Sequence, residues 1–507
     1  MMFGQTLMFV ALVFSFGFAN GQSASPAGTV RMVTQFPPTS LGLPYTANGM
    51  PSSFYWHALF DTLTEWSVEG ELGPALALSW EQRDTQTWAF TLRANAVFSN
   101  GDVLDAEVVV ATLNWLINST RGKSTLWGRE VNTVAGAEAE APDVVIIHTA
   151  RPDPLIPNKL SGVFIIHPSA FVDDDAPDTF AQKPIGTGPF KLDTWRDGKG
   201  QTRMTVAPSA WRKPGFDEFV LIPAPNAMSR LQAVATGQAD LVANIPSELV
   251  PDAEAAGLTI HRIATAMVSS FTFRTVDNPD SPVHDVRVRQ AMNYAINKDL
   301  MGILVGGLSP QAGQGAPSFV HGHNLTIAPY PYDPDRARAL LADAGYANGL
   351  DISLTVSATD QTLALLAQQV AQDVAAVGIN MELVQTNGQQ WLQQYTLSSF
   401  ETDLFNLTWN SAPLIDASRP MIYTSCLRAN PFFCEESLVP LIEQIQVELD
   451  PDKRLSMLQD AQARIHELAP AIFLFESVVP AVSGPRLKNV SWRLLVPAYD
   501  LMEVVAE

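Results

Sequence analysis

The sequence predicts an α/β protein with mixed sheets, because strand patterns and amphipathic helix patterns alternate along most of the chain. Residues Trp88–Arg93 alternate apolar and polar side chains, which is typical of a strand with one buried face. Residues Asp285–Ile296 instead place apolar side chains at helical spacing behind a capping aspartate. Hydrophobic residues make up 47% and charged residues 16% of the 507 positions, so the chain can bury a large core.

The other predicted elements follow the same two patterns, and glycine or proline residues bound most of them. Strands are predicted at Ala27–Val33, Trp88–Arg93, Asp143–Thr149, Gly162–His167, Phe190–Trp195, Asp240–Val242, Ser269–Arg274, Leu350–Val356, Ile379–Leu383 and Ala471–Phe475. Helices are predicted at Ser52–Leu63, Asp105–Leu113, Ala227–Thr236, Asp285–Ile296, Lys298–Val305, Asp333–Ala344, Leu363–Val377 and Asp450–Leu468. Residues Ile185–Phe190 are a structural turn, because the Lys-Ser/Thr pair and the helix of a phosphate-binding loop do not follow them.

Charge and motif content argue against two classes of function. The formal net charge is −21, and no run of lysine or arginine is present to neutralise phosphates, so we predict no nucleic-acid partner. The chain has no Gly-x-Ser-x-Gly elbow and no His-Glu-x-x-His helix, which disfavours a hydrolase. His321 and His323 have no third ligand in the pattern, so we predict neither a metal site nor a cofactor.

The first 21 residues have the pattern of a secretory signal peptide. An apolar run extends from Leu7 to Phe18, which is too short to cross a bilayer comfortably, and small and polar residues follow it. Cleavage is expected after Ala19 or Gly21, with an uncleaved anchor as the alternative. We therefore expect an exported protein.

The chain has two cysteines, Cys426 and Cys434, which are separated by eight positions. In an exported protein an even number of cysteines at short range indicates one disulfide that closes a loop. A metal site is disfavoured here because no histidine or further cysteine lies nearby.

Seven short segments, taken in order, resemble one known family. They are Leu72–Trp80, Trp88–Arg93, Phe98–Gly101, Ile185–Phe190, Asp285–Ile296, Tyr332–Tyr346 and Ala376–Ile379. The chain resembles the large extracytoplasmic solute-binding proteins, family 5, which serve ATP-driven importers of dipeptides, oligopeptides and nickel. The loop from Cys426 to Cys434 sits where dipeptide binders of that family also close a disulfide.

The resemblance implies a two-lobed, type II-like periplasmic-binding-protein fold with an extra domain inserted in the first lobe. Residues 28–62, 187–266 and 480–507 would form the first lobe, residues 63–186 the added domain, and residues 267–479 the second lobe. The chain crossings near 266 and 480 would form the hinge.

The resemblance also implies a function without catalysis. A monomeric periplasmic protein would capture a peptide or peptide-like small solute between its lobes and deliver it to an ABC-type membrane permease. Two alternatives stay open, namely a secreted hydrolase and a periplasmic receptor or chaperone that uses the same fold without transport.

Candidate ligand residues also follow from the resemblance. Trp409 matches a tryptophan that often faces the ligand, and Asn410 follows it. Peptide-binding relatives place an aspartate soon after this tryptophan to pair with the ligand's ammonium group, whereas the next acid here is Asp416. Dipeptide binders place an arginine in the loop where this chain has Ser357. Both peptide anchors are therefore absent, and the ligand is open among a dipeptide, an oligopeptide, another small solute and a metal complex.

Three further candidates rest on their positions alone. Arg274 occupies a place where many relatives have asparagine, so it is expected either to anchor an anionic ligand or to form an ion pair. Thr46 and Asn48 lie in the proline-rich extended segment after the first strand, and such segments often line clefts.

Overall fold

The structure is a computed structural model that describes residues 28–38, 42–46, 49–172, 176–276, 278–358 and 361–505. The predicted signal peptide and Asn48 lie outside the described residues. Within those residues, none of the helices combines the length and the apolar character that a membrane span requires.

The described chain alternates strands and helices, as the sequence predicts. The strands are β1 (Thr29–Thr34), β2 (Thr64–Trp66), β3 (Leu72–Pro74), β4 (Ala77–Asp84), β5 (Thr87–Leu92), β6 (Val134–Ala141), β7 (Val144–Thr149), β8 (Phe190–Thr194), β9 (Thr202–Val206), β10 (Glu218–Pro223), β11 (Leu241–Ala243), β12 (Thr259–Phe273), β13 (Leu350–Ser357), β14 (Ile379–Thr386), β15 (Leu404–Asn410), β16 (Ala471–Ser483), β17 (Leu487–Lys488), β18 (Trp492–Arg493), β19 (Val496–Pro497) and β20 (Glu503–Val504). The α-helices are α1 (Ser52–Leu59), α2 (Ala106–Asn118), α3 (Thr120–Ser124), α4 (Leu126–Glu130), α5 (Ile156–Leu160), α6 (Ala176–Gln182), α7 (Ala227–Ala235), α8 (Val250–Ala255), α9 (Val286–Ala295), α10 (Lys298–Leu304), α11 (Pro334–Asp343), α12 (Gln361–Ala375), α13 (Gly388–Leu397), α14 (Ser418–Met421), α15 (Val439–Ile445) and α16 (Pro451–Leu468).

Two long antiparallel strands, β12 and β16, connect the two lobes. They belong to a ten-stranded sheet of order β14-β13-β15-β12-β16-β11-β1-β10-β9-β8. At one end of the pair β16 continues into the first lobe through β11, and at the other end β12 continues into the second lobe through β15. The β12–β16 register shifts between Ala264 and Val268, which marks the crossing between the lobes.

Strand direction decides where the two lobes face each other. β1 and β10 run parallel to β11, and β11 is antiparallel to β16, so these strands of the first lobe end toward the second lobe. β13 and β14 run parallel to β15, and β15 is antiparallel to β12, so these strands end toward the first lobe. Ligands of open α/β sheets bind beyond the carboxyl ends of the strands, and here both sets of carboxyl ends meet at one cleft.

A separate antiparallel sheet of order β4-β5-β7-β6 adds to the first lobe. We call the segment from β4 to α6 the added domain. Its buried side chains, such as Phe90 and Ile147, belong to the same apolar core as Met32 and Phe60 of the first lobe. The continuous core shows that the added domain and the first lobe are packed together.

One predicted strand is wrong. Residues Gly162–His167 form no ladder, and only Phe164 bridges to Thr62. Val163 and Ile165 are fully buried, so their apolar character reflects burial in the core without a neighbouring strand. Short apolar runs do not distinguish these two situations.

The structure contains the predicted disulfide between Cys426 and Cys434, and neither cysteine is free. We predict that the native protein reacts with thiol reagents only after reduction. A Cys426→Ser, Cys434→Ser variant should lose at most about 2–3 kcal/mol of unfolding free energy, because the closed loop is short. Urea unfolding with and without reductant measures this loss, and reactive thiols in the native exported protein would contradict the disulfide.

Candidate functional site

A cavity of about 170 Å³ lies where the two lobes meet. Its second-lobe side consists of Ala412 and Pro413, which follow β15, together with Met267 of β12, and Ala266 lines it at the crossing between the lobes. The other side comes from the first lobe and the added domain, namely His57, Glu65, Trp66, Trp127, Ser161, Gly162, Arg212, Arg493, Leu494, Leu495, Val496, Pro497 and Tyr499. Groups from both lobes therefore line the cavity.

The aromatic part of the wall is fixed by its neighbours. A Cβ atom on Gly162 would lie 1.6 Å from the Trp127 ring, so glycine is required for this ring position. Trp66 Nε1 donates a hydrogen bond to Ser161 Oγ at 2.9 Å. The Tyr499 hydroxyl donates to the Phe54 carbonyl at 2.6 Å. These contacts use the polar atoms of Trp66 and Tyr499, so both rings contribute mainly apolar surface.

The charged groups of the wall form one connected network. Arg212 contacts Asp61 at 2.6 Å and Glu65 at 3.3 Å. Arg493 contacts Asp500 at 2.5 Å and Glu65 at 3.8 Å. Burial raises the pKa of Glu65 above its ordinary value, although Arg212 and Arg493 oppose this shift. Each charged side chain on the wall already has a partner of opposite charge.

His57 is the polar side chain of the wall that differs from the others. Its ring packs edge-on against Phe164, with ring centroids 4.8 Å apart. Burial, together with the positive charges of Arg212 and Arg493, lowers the pKa of His57 to about 3, so its imidazole is neutral near pH 7. Among the described residues, its ring nitrogens have no hydrogen-bond partner, which leaves them available to a bound molecule.

Trp409 lies behind the cavity wall. Its side chain is 1% exposed, and its Nε1 donates to Thr272 Oγ1 at 3.1 Å. A Cβ atom on Gly315 would lie 2.2 Å from the Trp409 ring, so this ring is closely packed. Ligand contact by Trp409 stays a prediction, and its observed contacts are those of a core residue that supports the end of β15.

Asn410 and Asp416 shape the segment that carries Ala412 and Pro413. Asn410 Oδ1 accepts a hydrogen bond from the Ala412 N–H at 2.8 Å. Asp416 is fully buried and accepts two hydrogen bonds from Arg454, at 2.7 and 2.8 Å. Burial opposes ionisation of Asp416, but the bonds from Arg454 hold its pKa below the ordinary value. Direct ligand contact by either residue stays a prediction.

The remaining candidates separate into two groups. Ser357 ends β13 at the cleft and donates its N–H to Asn406 Oδ1 at 2.9 Å, while the exposed Thr46 donates its hydroxyl to the Leu43 carbonyl. Arg274 follows β12 at the opposite end of the second lobe, roughly 20 Å from Met267 at about 3.3 Å per strand residue. This position favours the ion-pair alternative for Arg274, and ligand contact by Arg274 stays a prediction.

Sequence reasoning missed the polar groups that line the cavity: His57, Glu65, Arg212 and Arg493. They come from α1, β2, the loop before β10 and β18, and no local motif connects them. Only the fold brings them together. The sequence does place Glu65 next to Trp66 shortly after the first predicted helix. This pair alone does not distinguish a binding site from an ordinary surface.

The lobes are also held together by direct polar contacts beside the cavity. These contacts join Asn158 Nδ2 to the Leu414 carbonyl at 2.9 Å, Arg419 to Glu130 at 3.1 Å, and Arg151 to Gln446 at 3.3 Å. In each pair one residue belongs to the added domain and the other to the second lobe. The added domain and the second lobe are therefore in direct contact.

A profile described as bacterial extracellular solute-binding proteins, family 5 Middle, matches residues 71–430, which is more than half of the chain. The chain belongs to this family. Its members are the solute-binding proteins of ABC-type importers. The fold described above, two lobes joined by paired strands with an extra domain on the first lobe, is the periplasmic-binding-protein fold of this family.

Relatives in family 5 differ in what they bind. The glutathione-binding protein GsiB of Shigella flexneri serotype 5b (strain 8401) is 25% identical over 483 residues, and the match covers 90% of each chain. The nickel-binding periplasmic protein of Escherichia coli (strain K12) is 25% identical over 477 residues, with 88% of each chain covered. The crystal structure of NikA from Brucella suis in complex with Fe(III)-EDTA is similar with a TM-score of 0.82 at 24% identity, covering 94% of this chain and 100% of that one.

We predict that Gly162→Ala weakens solute binding at least tenfold, because the added methyl group displaces the Trp127 ring from the wall. Calorimetric titration of the solute that co-purifies with the protein measures the change. Gly136→Ala is the matched control in the same domain, since nothing lies within 4 Å of its Cβ position. Wild-type affinity in the Gly162→Ala protein would show that Trp127 does not shape the site.

Asp416→Asn should destabilise the protein by about 3–5 kcal/mol, because the Arg454 guanidinium is left buried without its counterion. Urea unfolding measures this effect. Asp335→Asn is the control, since Asp335 also pairs with an arginine but is 93% exposed, and we expect little change there. If Asp416→Asn kept the wild-type stability but no longer bound the solute, Asp416 would instead be a residue that contacts the ligand.

Proposed function

We propose that this protein is the periplasmic solute-binding component of an ABC-type importer. It captures a peptide or peptide-like small solute between its lobes and delivers it to a membrane permease. The observation that carries this proposal is the cavity lined by both lobes, at the facing carboxyl ends of their strands. A predicted signal peptide at residues 1–21 and the periplasmic relatives support the location.

The proposed division of the chain follows the same geometry. Residues 28–62, 187–266 and 480–507 form the first lobe, residues 63–186 the added domain, and residues 267–479 the second lobe. The register shift between Ala264 and Val268 supports a hinge near residue 266. Its counterpart on β16 lies between Glu476 and Val478, close to the second crossing expected near residue 480.

The mechanism is capture by closure. An open form exposes the strand ends, the solute binds, and closure encloses it because the closed form adds contacts to both lobes. In the proposed closed form, the polar contacts from the added domain to the second lobe hold the lobes together. The permease then recognises the closed arrangement as the loaded state.

Binding without a chemical reaction fits the wall of the cavity. The charged side chains are engaged with one another, and the neutral His57 faces apolar and aromatic groups. The named relatives are binding proteins, for glutathione and for nickel. The proposal needs no cofactor and describes a monomer.

Native mass spectrometry tests the proposal directly. Protein exported to the periplasm and purified without denaturation should carry a solute of small-molecule mass at a ratio near one. After denaturation, dialysis and refolding, the same solute should bind again and change the tryptophan fluorescence. A protein that carries no solute, and that responds to none in a periplasmic extract, would contradict the proposed function.

Weakening the contacts between the lobes should weaken capture. Glu130→Gln removes the ion pair with Arg419, a partly buried pair that is worth up to about 1 kcal/mol. We therefore expect an affinity loss of roughly fivefold, mainly through faster release of the solute. Glu140→Gln is the control, because its ion pair with Arg83 lies within the added domain. Equal affinity of the Glu130→Gln and wild-type proteins would mean that this contact does not hold the closed form.

A further inference from the structure

The fixed charges around the cavity balance. Arg212 and Arg493 contact three carboxylates, Asp61, Glu65 and Asp500. Arg93 lies behind them over the Trp211 ring and interacts with Asp61 and Glu65 at longer range, so three arginines and three carboxylates lie together. The side chains of Arg212 and Arg493 are only 12% and 18% exposed, and their partners lie within 3.8 Å. Among the described residues that line the cavity, no charge is left over to attract an ion of either sign.

A charged ligand would therefore be costly to enclose. To pair with Glu65, the ammonium group of a ligand would have to break the ion pairs of Glu65 with Arg212 and Arg493. To pair with an arginine, the carboxylate of a ligand would have to break the ion pair between that arginine and its acid. Breaking a buried ion pair, or burying an extra charge beside an intact one, costs several kcal/mol. A zwitterionic ligand would meet both costs, because it has an ammonium group at one end and a carboxylate at the other.

The second-lobe side adds no charge. Ala412 and Pro413 are uncharged, and the next acid along the chain, Asp416, is engaged with Arg454. An α-ammonium group has no available carboxylate on this side of the cavity. The absence agrees with the missing peptide anchors in the sequence.

What the wall does offer is apolar surface and one neutral hydrogen-bonding ring. Met267, Leu495 and Val496 line the cavity beside the aromatic rings. His57 contributes a neutral imidazole whose nitrogens have no partner among the described residues. A neutral imidazole offers one donor and one acceptor, so it matches an amide or a hydroxyl group.

We propose that the cavity selects an uncharged small solute, with an apolar body and an amide-like or hydroxyl group that hydrogen-bonds to His57, and that it discriminates against free ammonium and carboxylate groups. This inference rests on the proposed function, since it names the solute class of the same site. The volume of about 170 Å³, roughly six times a water's share of liquid volume, accommodates a solute of about the size of a capped amino acid.

A matched set of four probes isolates charge from size. N-acetyl-leucinamide is uncharged, N-acetyl-leucine is an anion, leucinamide is a cation, and leucine is a zwitterion. Calorimetric titration of the refolded, solute-free full-length mature protein should give the tightest binding for N-acetyl-leucinamide, by at least tenfold over each charged form. Tighter binding of any charged form would overturn the inference.

Two variants make the test specific. His57→Phe keeps a ring but removes the hydrogen bond, and should lower the affinity for N-acetyl-leucinamide at least fivefold. The surface control His148→Phe should leave that affinity unchanged. Glu65→Gln leaves the arginines one charge in excess and should shift preference toward N-acetyl-leucine at least tenfold. Unchanged preference in Glu65→Gln would show that the network does not set the selectivity.

The outcomes also separate this inference from the proposed function. If none of the four probes binds but the protein carries a co-purified solute, the charge of that solute tests the inference. A solute with an ionised amine or acid would overturn the inference and leave the proposed function intact. If no probe binds and no solute is carried, the proposed function itself fails.

Discussion

The antiparallel pairing of β12 with β16 is the constraint on which the rest of the structure depends. β16 pairs with β11 of the first lobe, and β12 pairs with β15 of the second lobe. The β12–β16 pair therefore fixes the direction of the strands in both lobes and brings their carboxyl ends to one cleft. The irregular register between Ala264 and Val268 interrupts the ladder at the crossing between the lobes. The hinge that we propose lies at this interruption.

The cavity wall explains how one family can serve unlike solutes. The scaffold supplies an enclosed volume, and the side chains that reach it come from segments far apart in the sequence. Here those side chains are a closed ion-pair network around Glu65, aromatic faces held by Gly162 and Ser161, and the neutral His57. Electrostatic balance of this kind costs little when the contents are uncharged and disfavours ions of both signs.

Local signals predicted the elements well and the site poorly. The helix after Asp285 is present with its capping bond, because a cap and an apolar stripe act within one segment. Arg289 in that helix is nevertheless buried, donating to the carbonyls of Leu468 and Val283, since a distant helix end needed donors. The strand expected at Gly162–His167 is wrong for the same reason, because whether an apolar run pairs with another strand depends on the whole fold.

Solute-dependent closure of the lobes is the central step of the proposed mechanism. Spin labels on Val103→Cys and Leu325→Cys, at positions 63% and 86% exposed in the added domain and the second lobe, report the distance between these parts by pulsed electron resonance. The native cysteines are paired, so the labels attach only at the two introduced sites. The account predicts a longer, broader distribution without solute and one shorter, narrow distribution with the co-purified solute. Identical distributions in both samples would contradict it.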